Sequence, residues 1–425
     1  MTSTYRIQGL LTGVGMAMLY AGYMLVWVLS PESSTAESGG SFLKIAACMV
    51  TGIALLVFAG QRQAYFDGAP QRLLVCLPLL AYFLVVISAS LFHRDITGFS
   101  YLLFGVVYFA VLAISDTKHI DLNKGMLILG CITVGMYIVF NLGSLTDYSG
   151  GRQRVSTNKA FGLTGYAFGI VFISALISFI HAPRYRLVSA LLAVSSLYLF
   201  TATGTRSIFI GVALATLLIT FSQNSLQRSI KYIAMMLVTA TALVLIVSML
   251  PQFDDRIDAI MRDMHRGYYA LTGEYTGELS SWTRYVNRQR ALDSIVAHPL
   301  LGEGYKTFWI DFPVLQAFQD FGVLFGLIFF LAMVAIPCYY AVNFARTDSI
   351  TAKTVAALYA LNLPRLFLHG QPYDWSIFTF VLPVYGLILS DLLIKHSQTK
   401  NIPASTHRSV DELTQPHFDW HSHRT

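Results

Sequence analysis

The sequence predicts an all-α polytopic membrane protein of about twelve transmembrane helices, with one long polar interval between the ninth and the tenth. Three observations carry that expectation. Only 12% of the 425 residues are charged and 55% are hydrophobic, with a mean hydropathy of +0.57, whereas a soluble domain carries about 25% charged residues. Apolar runs of about 18 residues or more recur along the whole length, each long enough to cross roughly 30 Å of hydrocarbon. Lysine and arginine gather in alternate short loops, as the positive-inside rule requires of a chain that crosses repeatedly.

Span 1 covers about 7–30 and is too long for a signal-peptide core; it also lacks a small-residue cleavage site, so it reads as a retained span. Spans 2 to 5 follow at about 42–60, 73–92, 98–115 and 125–143, and spans 6 to 9 at about 161–181, 187–204, 207–222 and 232–250. The polar interval 251–313 separates these from span 10 (about 314–341), span 11 (about 352–369) and span 12 (about 374–394), and a polar tail, 395–425, closes the chain. Loops after even-numbered spans hold Arg62 and Arg72, Lys118 and Lys124, Arg184 and Arg186, Arg228 and Lys231, and Arg346 and Lys353. The loop after span 1 holds none. Both termini are therefore expected in the cytoplasm and the long interval outside. In organisation the chain divides into spans 1–9 (1–250), a loop with amphipathic helices (251–313), spans 10–12 (314–394) and a disordered tail.

The four cysteines, Cys48, Cys76, Cys131 and Cys338, all lie in apolar runs with no CxxC pair, which reads as small core residues rather than a disulfide or metal site. The five histidines of the tail are irregularly spaced and fit a disordered segment better than a metal site.

Three outer segments break the charge rule. Arg152, Arg154 and Lys159 follow span 5, Arg206 follows span 7, and Arg284, Arg288 and Arg290 lie in the long interval. Lysine is nearly absent from the set. The arginine fork binds phosphate oxygens bidentately where lysine is a point charge, so the set reads as a site for an anionic ligand at the outer leaflet; solvated loop cations are the plainer alternative. Arg206 sits in a tight GTRS turn between two apolar spans, where an ionisable group usually faces the bundle interior or a wet cavity, or else snorkels to the headgroups. Arg365, behind the helix-breaking Pro364, invites the same question and could equally satisfy a freed carbonyl.

Within the interval, residues 254–266 alternate Asp and Arg at helical spacing, as a surface helix with paired charges does. A second helix is expected to start near Ser280 or Ser281, an N-cap residue type. It puts Arg284 and Arg288 on one face and an apolar stripe of Ala291, Leu292, Ile295 and Val296 beside them. His298-Pro299 ends it, and Gly302 and Gly304 flank a turn. Tyr268, Tyr269, Tyr275 and Trp282 are aromatic candidates for stacking on sugar.

Four phrases together carry a resemblance: GTRS at the head of span 8, RYVNRQRAL, HPLLGEGYKTF, and FGVLFG within span 10. In these the chain resembles the O-antigen ligase and polymerase superfamily, bacterial inner-membrane glycosyltransferases with a GT-C-like fold. The close match covers about residues 280–326 and 202–210. The resemblance implies a transfer reaction at the periplasmic face, with a glycan on undecaprenyl diphosphate as donor and a glycan or lipid A core hydroxyl as acceptor. It further implies that Arg206 and Arg284 hold the leaving pyrophosphate, and Arg288, Arg152 and Arg154 are added to that set as neighbouring cations. No metal and no cofactor is expected, since arginines can neutralise the diphosphate and no Asp-rich metal motif is present. Membrane lipid and a chain-length regulator are the further partners, and no nucleic acid is expected.

One departure bears on the reaction. Where ligases of this family carry a His-Asn pair ahead of the glycine of the next span, this chain has Asp311-Phe312 ahead of Gly322. A carboxylate can serve as the general base for the acceptor hydroxyl, which makes Asp311 the first catalytic candidate and favours a polymerase over a ligase. His369, in the HGQPYD turn, is the second; His298, before a proline, reads as helix punctuation. A transporter of lipid-linked sugar would show repeated halves with matched broken helices, and the sequence has no internal repeat.

Overall fold

The computed structural model describes residues 3–22, 39–58, 69–95, 122–141, 148–149, 152–153, 161–203, 206–221, 279–368, 370, 372–373 and 375–400, with isolated positions between them. Helices fall where the apolar runs put them: α1 (Ser3–Ala21), α2 (Gly39–Phe58), α3 (Ala69–Phe92), α4 (Leu122–Asn141), α5 (Phe161–His181), α6 (Arg186–Thr203) and α7 (Arg206–Phe221). The arginine-bearing helix of the long interval is α8 (Leu279–Ala297), starting slightly before the expected serines. Beyond it, α9 (Pro313–Phe330), a π-helical turn (Leu331–Ala335) and α10 (Ile336–Ala345) make one continuous rod. Then come α11 (Ile350–Asn362), the single turn α12 (Arg365–Leu368) and α13 (Trp375–Lys400), which runs past the expected start of the polar tail.

Among the described residues, four helices are long and apolar enough to cross a membrane: Leu74–Phe92, Leu122–Val139, Thr164–His181 and Pro313–Ala345. Shorter apolar helices at Leu10–Leu19, Ala46–Leu56, Ser207–Phe221 and Ile377–Leu389 accompany them. Residues 23–30 of span 1, most of spans 4 and 9, the expected helix at 254–266 and the tail from 401 lie outside the described residues. The segment after span 5, expected as plain loop, holds a small antiparallel hairpin, β1 (Tyr148–Ser149) with β2 (Arg152–Gln153), in which Tyr148 faces Gln153 and Ser149 faces Arg152.

The centre of the bundle is built from α5, α11 and α13, whose buried positions run all the way round rather than along a stripe. Ser349 caps α11 by accepting from the Ala352 amide at 3.3 Å, and Pro364, which has no amide to donate, divides α11 from α12. Arg365 is 1% exposed and lies over the Tyr166 ring of α5 at 5.0 Å and the Phe380 ring of α13 at 6.0 Å. It thus acts as a cation between aromatic faces at the bundle centre. Small residues let helices approach elsewhere: a Cβ on Gly15 of α1 would lie 3.0 Å from the Gly52 carbonyl of α2. Ser178 of α5 donates to Asn123 Oδ1 of α4 at 2.6 Å. Of the cysteines only Cys76 is fully buried; Cys131 is exposed on the outside of α4, so the expectation of a core residue fails there because its helix face points outward.

The feature that positions the site is a break in α9. Gly322 has φ 78° and ψ −179° in the middle of an otherwise helical run, a backbone region essentially confined to glycine. A broken helix frees amides and carbonyls that must find partners when no water is at hand. The turn after α8 supplies them: Glu303 N donates to Gln319 O at 2.7 Å, Gly304 N to Asp320 O at 3.1 Å, and Val323 N to Pro299 O at 2.7 Å. The fit leaves no room for side chains at the two contact glycines. A Cβ on Gly302, itself at φ 72°, would come to 2.5 Å from Gln319 O, and one on Gly322 would collide with the Leu300 carbonyl. The Gly/Pro phrase expected to be a loop turn is therefore the complement of a broken helix.

Gly322→Ala is expected to lose about 1–3 kcal/mol from its backbone conformation alone, with the Leu300 collision adding to it. Gly135→Ala in α4, where a Cβ meets nothing within 4 Å, should be neutral or stabilising by up to about 1 kcal/mol. Thermal unfolding of the two variants in the same detergent checks both.

Candidate functional site

The turn that closes the helix break also draws three separate parts of the chain together at one end of the bundle. These are residues 93–95 after α3, residues 298–312 between α8 and α9, and residues 370–373 before α13. All three are outer segments on the charge-based topology. Asp311, in the return strand of the turn, sits at one contact. Its Oδ2 is 3.3 Å from Arg284 of α8, and its Oδ1 accepts the Gly370 amide at 2.9 Å. The Asn287 side-chain amide donates to Trp309 O at 3.3 Å, holding the same strand to α8. The Arg284 side chain is 43% exposed and that of Asp311 18%, so the pair lies at the surface with one side open.

The sequence placed Arg284 and Arg288 on one face, and the structure gives them different partners. Arg288 lies 5.5 Å over the Tyr285 ring, which stacks on Trp282 at 5.6 Å and 26°. Arg290 lies 4.0 Å over Phe308. The result is a strip of cations and aromatic rings along α8 beside the Arg284–Asp311 pair. Arg206 opens α7 and Arg152 lies in β2, but their side chains are not among those described, and Arg154 and His369 fall outside the described residues. Among the described residues, no three His, Cys, Asp or Glu side chains gather in a way that could hold a metal ion.

A second cluster was not singled out in the sequence. Lys306, in the turn at φ 54°, reaches Asp95 Oδ2 with its ammonium at 2.5 Å and lies over the rings of Tyr305 and Tyr373 at 5.2 and 5.7 Å. Tyr305 donates to the same Asp95 oxygen at 2.9 Å and is 3.0 Å from Ser90 Oγ. Beneath them Asp320 of α9 is 1% exposed. Its Oδ2 takes the Tyr373 hydroxyl, the Lys306 amide at 3.2 Å and the Gln316 side-chain amide at 3.4 Å, while its Oδ1 is buried without a donor. Glu303 accepts from Ser294 at 2.8 Å and from Gln319 at 3.2 Å. Burial pushes the Tyr305 phenol above its ordinary range. Burial first, and then the adjacent Asp320 carboxylate, do the same to Tyr373, so both remain hydrogen-bond donors.

One signal for this cluster was legible: Asp320 is an ionisable residue inside an apolar span, where such a group nearly always has a specific partner. The others were not. Asp95 in HRDIT and Lys306 among aromatics look like ordinary loop charges until the fold brings residues 211 positions apart into contact.

Residues 188–326 match the family model described as O-antigen ligase. The match covers about a third of the chain and supports the resemblance to the O-antigen ligase and polymerase superfamily that the sequence phrases carry. The matched segment takes in α7, α8, the PLLGEG turn and α9 through the break, and it ends at Gly326 just beyond it. It contains Arg206, Arg284, Arg288 and Asp311, whereas Asp95, Gly370 and Tyr373, which close the site from other spans, lie outside it. A search of curated proteins found no match. This likeness, together with the apolar helices, supports a multi-pass membrane protein similar to those of O-antigen-type glycan processing.

Tyr373→Phe, which strips Asp320 of its hydroxyl donor, is expected to destabilise the protein by about 1–3 kcal/mol. Lys306→Met breaks a more exposed ion pair and should cost only about 0.2–1 kcal/mol. Parallel thermal unfolding of the two variants separates the buried bond from the surface one.

Proposed function

We propose that this protein is a glycosyltransferase that works on undecaprenyl-diphosphate-linked glycan at the periplasmic face of the bacterial inner membrane, as an O-antigen or surface-polysaccharide polymerase. The observation that carries the reading is the Arg284–Asp311 pair at 3.3 Å, a cation fit for diphosphate beside a carboxylate fit for a hydroxyl, at the open end of a membrane bundle. In the reaction an acceptor hydroxyl oxygen bonds to the anomeric carbon of the donor glycan as the bond from that carbon to the diphosphate oxygen breaks. Undecaprenyl diphosphate departs with the bonding electrons, and the hydroxyl proton passes to a base. Arg284, with Arg206, Arg288, Arg152 and Arg154 as further cations, stabilises the charge that grows on the leaving group.

Asp311 is the proposed base, with His369 in the neighbouring turn as the second candidate. The ion pair gives the proposal an order of events. A donor diphosphate competes for Arg284, and a carboxylate relieved of its cation accepts a proton more readily. The Gly370 amide keeps Asp311 in place meanwhile. The base thus becomes effective only once a leaving group is in position. The Trp282–Tyr285 stack next to Arg288 offers the acceptor glycan an aromatic face.

Ligation of finished glycan to lipid A core is the second reading, and the description of the matched family favours it. The Asp311-Phe312 sequence, standing where ligases of the family carry His-Asn, supports the polymerase. Either enzyme works with membrane lipid around it, and a chain-length regulator is a partner expected of a polymerase.

The test is surface-polysaccharide profiling by gel in a strain deleted for the gene and complemented with wild type, Arg284→Ala or Asp311→Asn. A polymerase lacking Arg284 leaves a single repeat attached to core and no ladder. A ligase leaves no attached glycan and accumulates lipid-linked polymer. The exposed pair contributes about 0.2–1 kcal/mol to stability, so both variants should accumulate as wild type does, and an unchanged profile from either overturns its assigned role.

A further inference from the structure

The long interval reads from sequence as a loop lying over the bundle, but the contacts of α8 give it a direction. Near its start Arg284 meets Asp311 and Asn287 meets Trp309, just before α9 begins at Pro313. Beyond its end Pro299 and Leu300 meet Val323 and Gly322, more than two turns further along α9. The helix therefore descends beside the first half of α9, turns at the level of the break, and climbs back through 305–312. The PLLGEG turn is the lowest point of a re-entrant excursion.

Its depth follows from the rod it touches. From Val323 to Ala345 the chain rises roughly 34 Å at the helical repeat, which matches the hydrocarbon thickness of about 30 Å. Arg346 and Asp348 mark the far end, and Gln316, Gln319 and Asp320 lie in the half above the break. Gly322 thus sits at the outer edge of the hydrocarbon, and the tip of the turn sits with it. At that tip Val296, Leu300 and Leu301 are 81%, 78% and 80% exposed. They adjoin Leu324, Leu327 and Leu331, exposed on the flank of the same rod, which is surface that a membrane span presents to lipid. The helix is graded to match: TRYVNRQR at the upper end is cationic, and the lower end closes on IVAHPLL.

We infer that the α8–turn unit is an interfacial anchor, with Val296, Leu300 and Leu301 inserted among the acyl chains of the outer leaflet. The unit that carries Arg284 is thereby fixed to the outer face of the membrane, with Arg284 on the water side of the inserted tip. The inference rests on α9 spanning a membrane and not on the reaction proposed above, and its test involves no turnover.

In a full-length variant with the four native cysteines replaced, single cysteines at Leu301, Leu300, Leu324 or Thr283 are labelled with a bimane fluorophore. The protein is reconstituted in nanodiscs of phosphatidylcholine brominated at mid-chain. The labels at 300 and 301 should be quenched about half as strongly as at 324 or more, with little quenching at 283. Labels at 300 and 301 that match 283 would place the tip in water or against protein, and the inference falls. Quenching that appears only when brominated polyprenyl phosphate is added would assign the surface to a donor tail, and overturns it equally.

Discussion

Three backbone hydrogen bonds across the break in α9 hold this architecture together. Glu303 and Gly304 donate to the carbonyls of Gln319 and Asp320, and Val323 donates to Pro299. A helix interrupted away from water exposes peptide groups that cost several kcal/mol each if unpaired. The break at Gly322 and the turn after α8 therefore exist only together. Glycine is required at both 302 and 322 because positive φ and direct backbone contact coincide there. This constraint fixes where the turn lies, and so fixes where Lys306 and Asp311 can reach.

From that clasp the polar residues separate into two levels with different energetics. The lower one, Asp320 with Tyr373, Gln316 and the Lys306 amide, is buried and serves as a joint between the turn, α9 and the segment before α13. The upper one, Arg284 with Asp311, lies at the surface and contributes little to stability. A site needs both: a rigid level that sets geometry and an exposed one that reacts.

Much of the fold was legible because membrane helices announce themselves by length and hydropathy. The runs expected at 161–181 and 187–204 became α5 and α6 almost to the residue, and that at 73–92 became α3, which starts a turn earlier. The candidate site was legible in part. Arg284 stands in a phrase that carries the family resemblance and Asp311 where the chain departs from it, and the structure puts the two in contact. Helical spacing puts Arg288 on the same face as Arg284, but Tyr285, three residues before Arg288, offers a ring over which its cation lies. Asp95, Tyr305, Lys306 and Tyr373 went unremarked, since nothing local distinguishes them.

By itself the sequence determined the class of molecule, the positions of most helices, the placement of arginines against the charge rule, and the family resemblance. These follow from composition, periodicity and short phrases, all of them local properties. Only the tertiary structure decided that HPLLGEG mates with a broken helix, that residues 95 and 306 share an ion pair, and that Asp311 is held by Gly370 as well as by Arg284. Such contacts join positions tens to hundreds of residues apart, and one chain without its fold carries no record of which distant groups must satisfy one another.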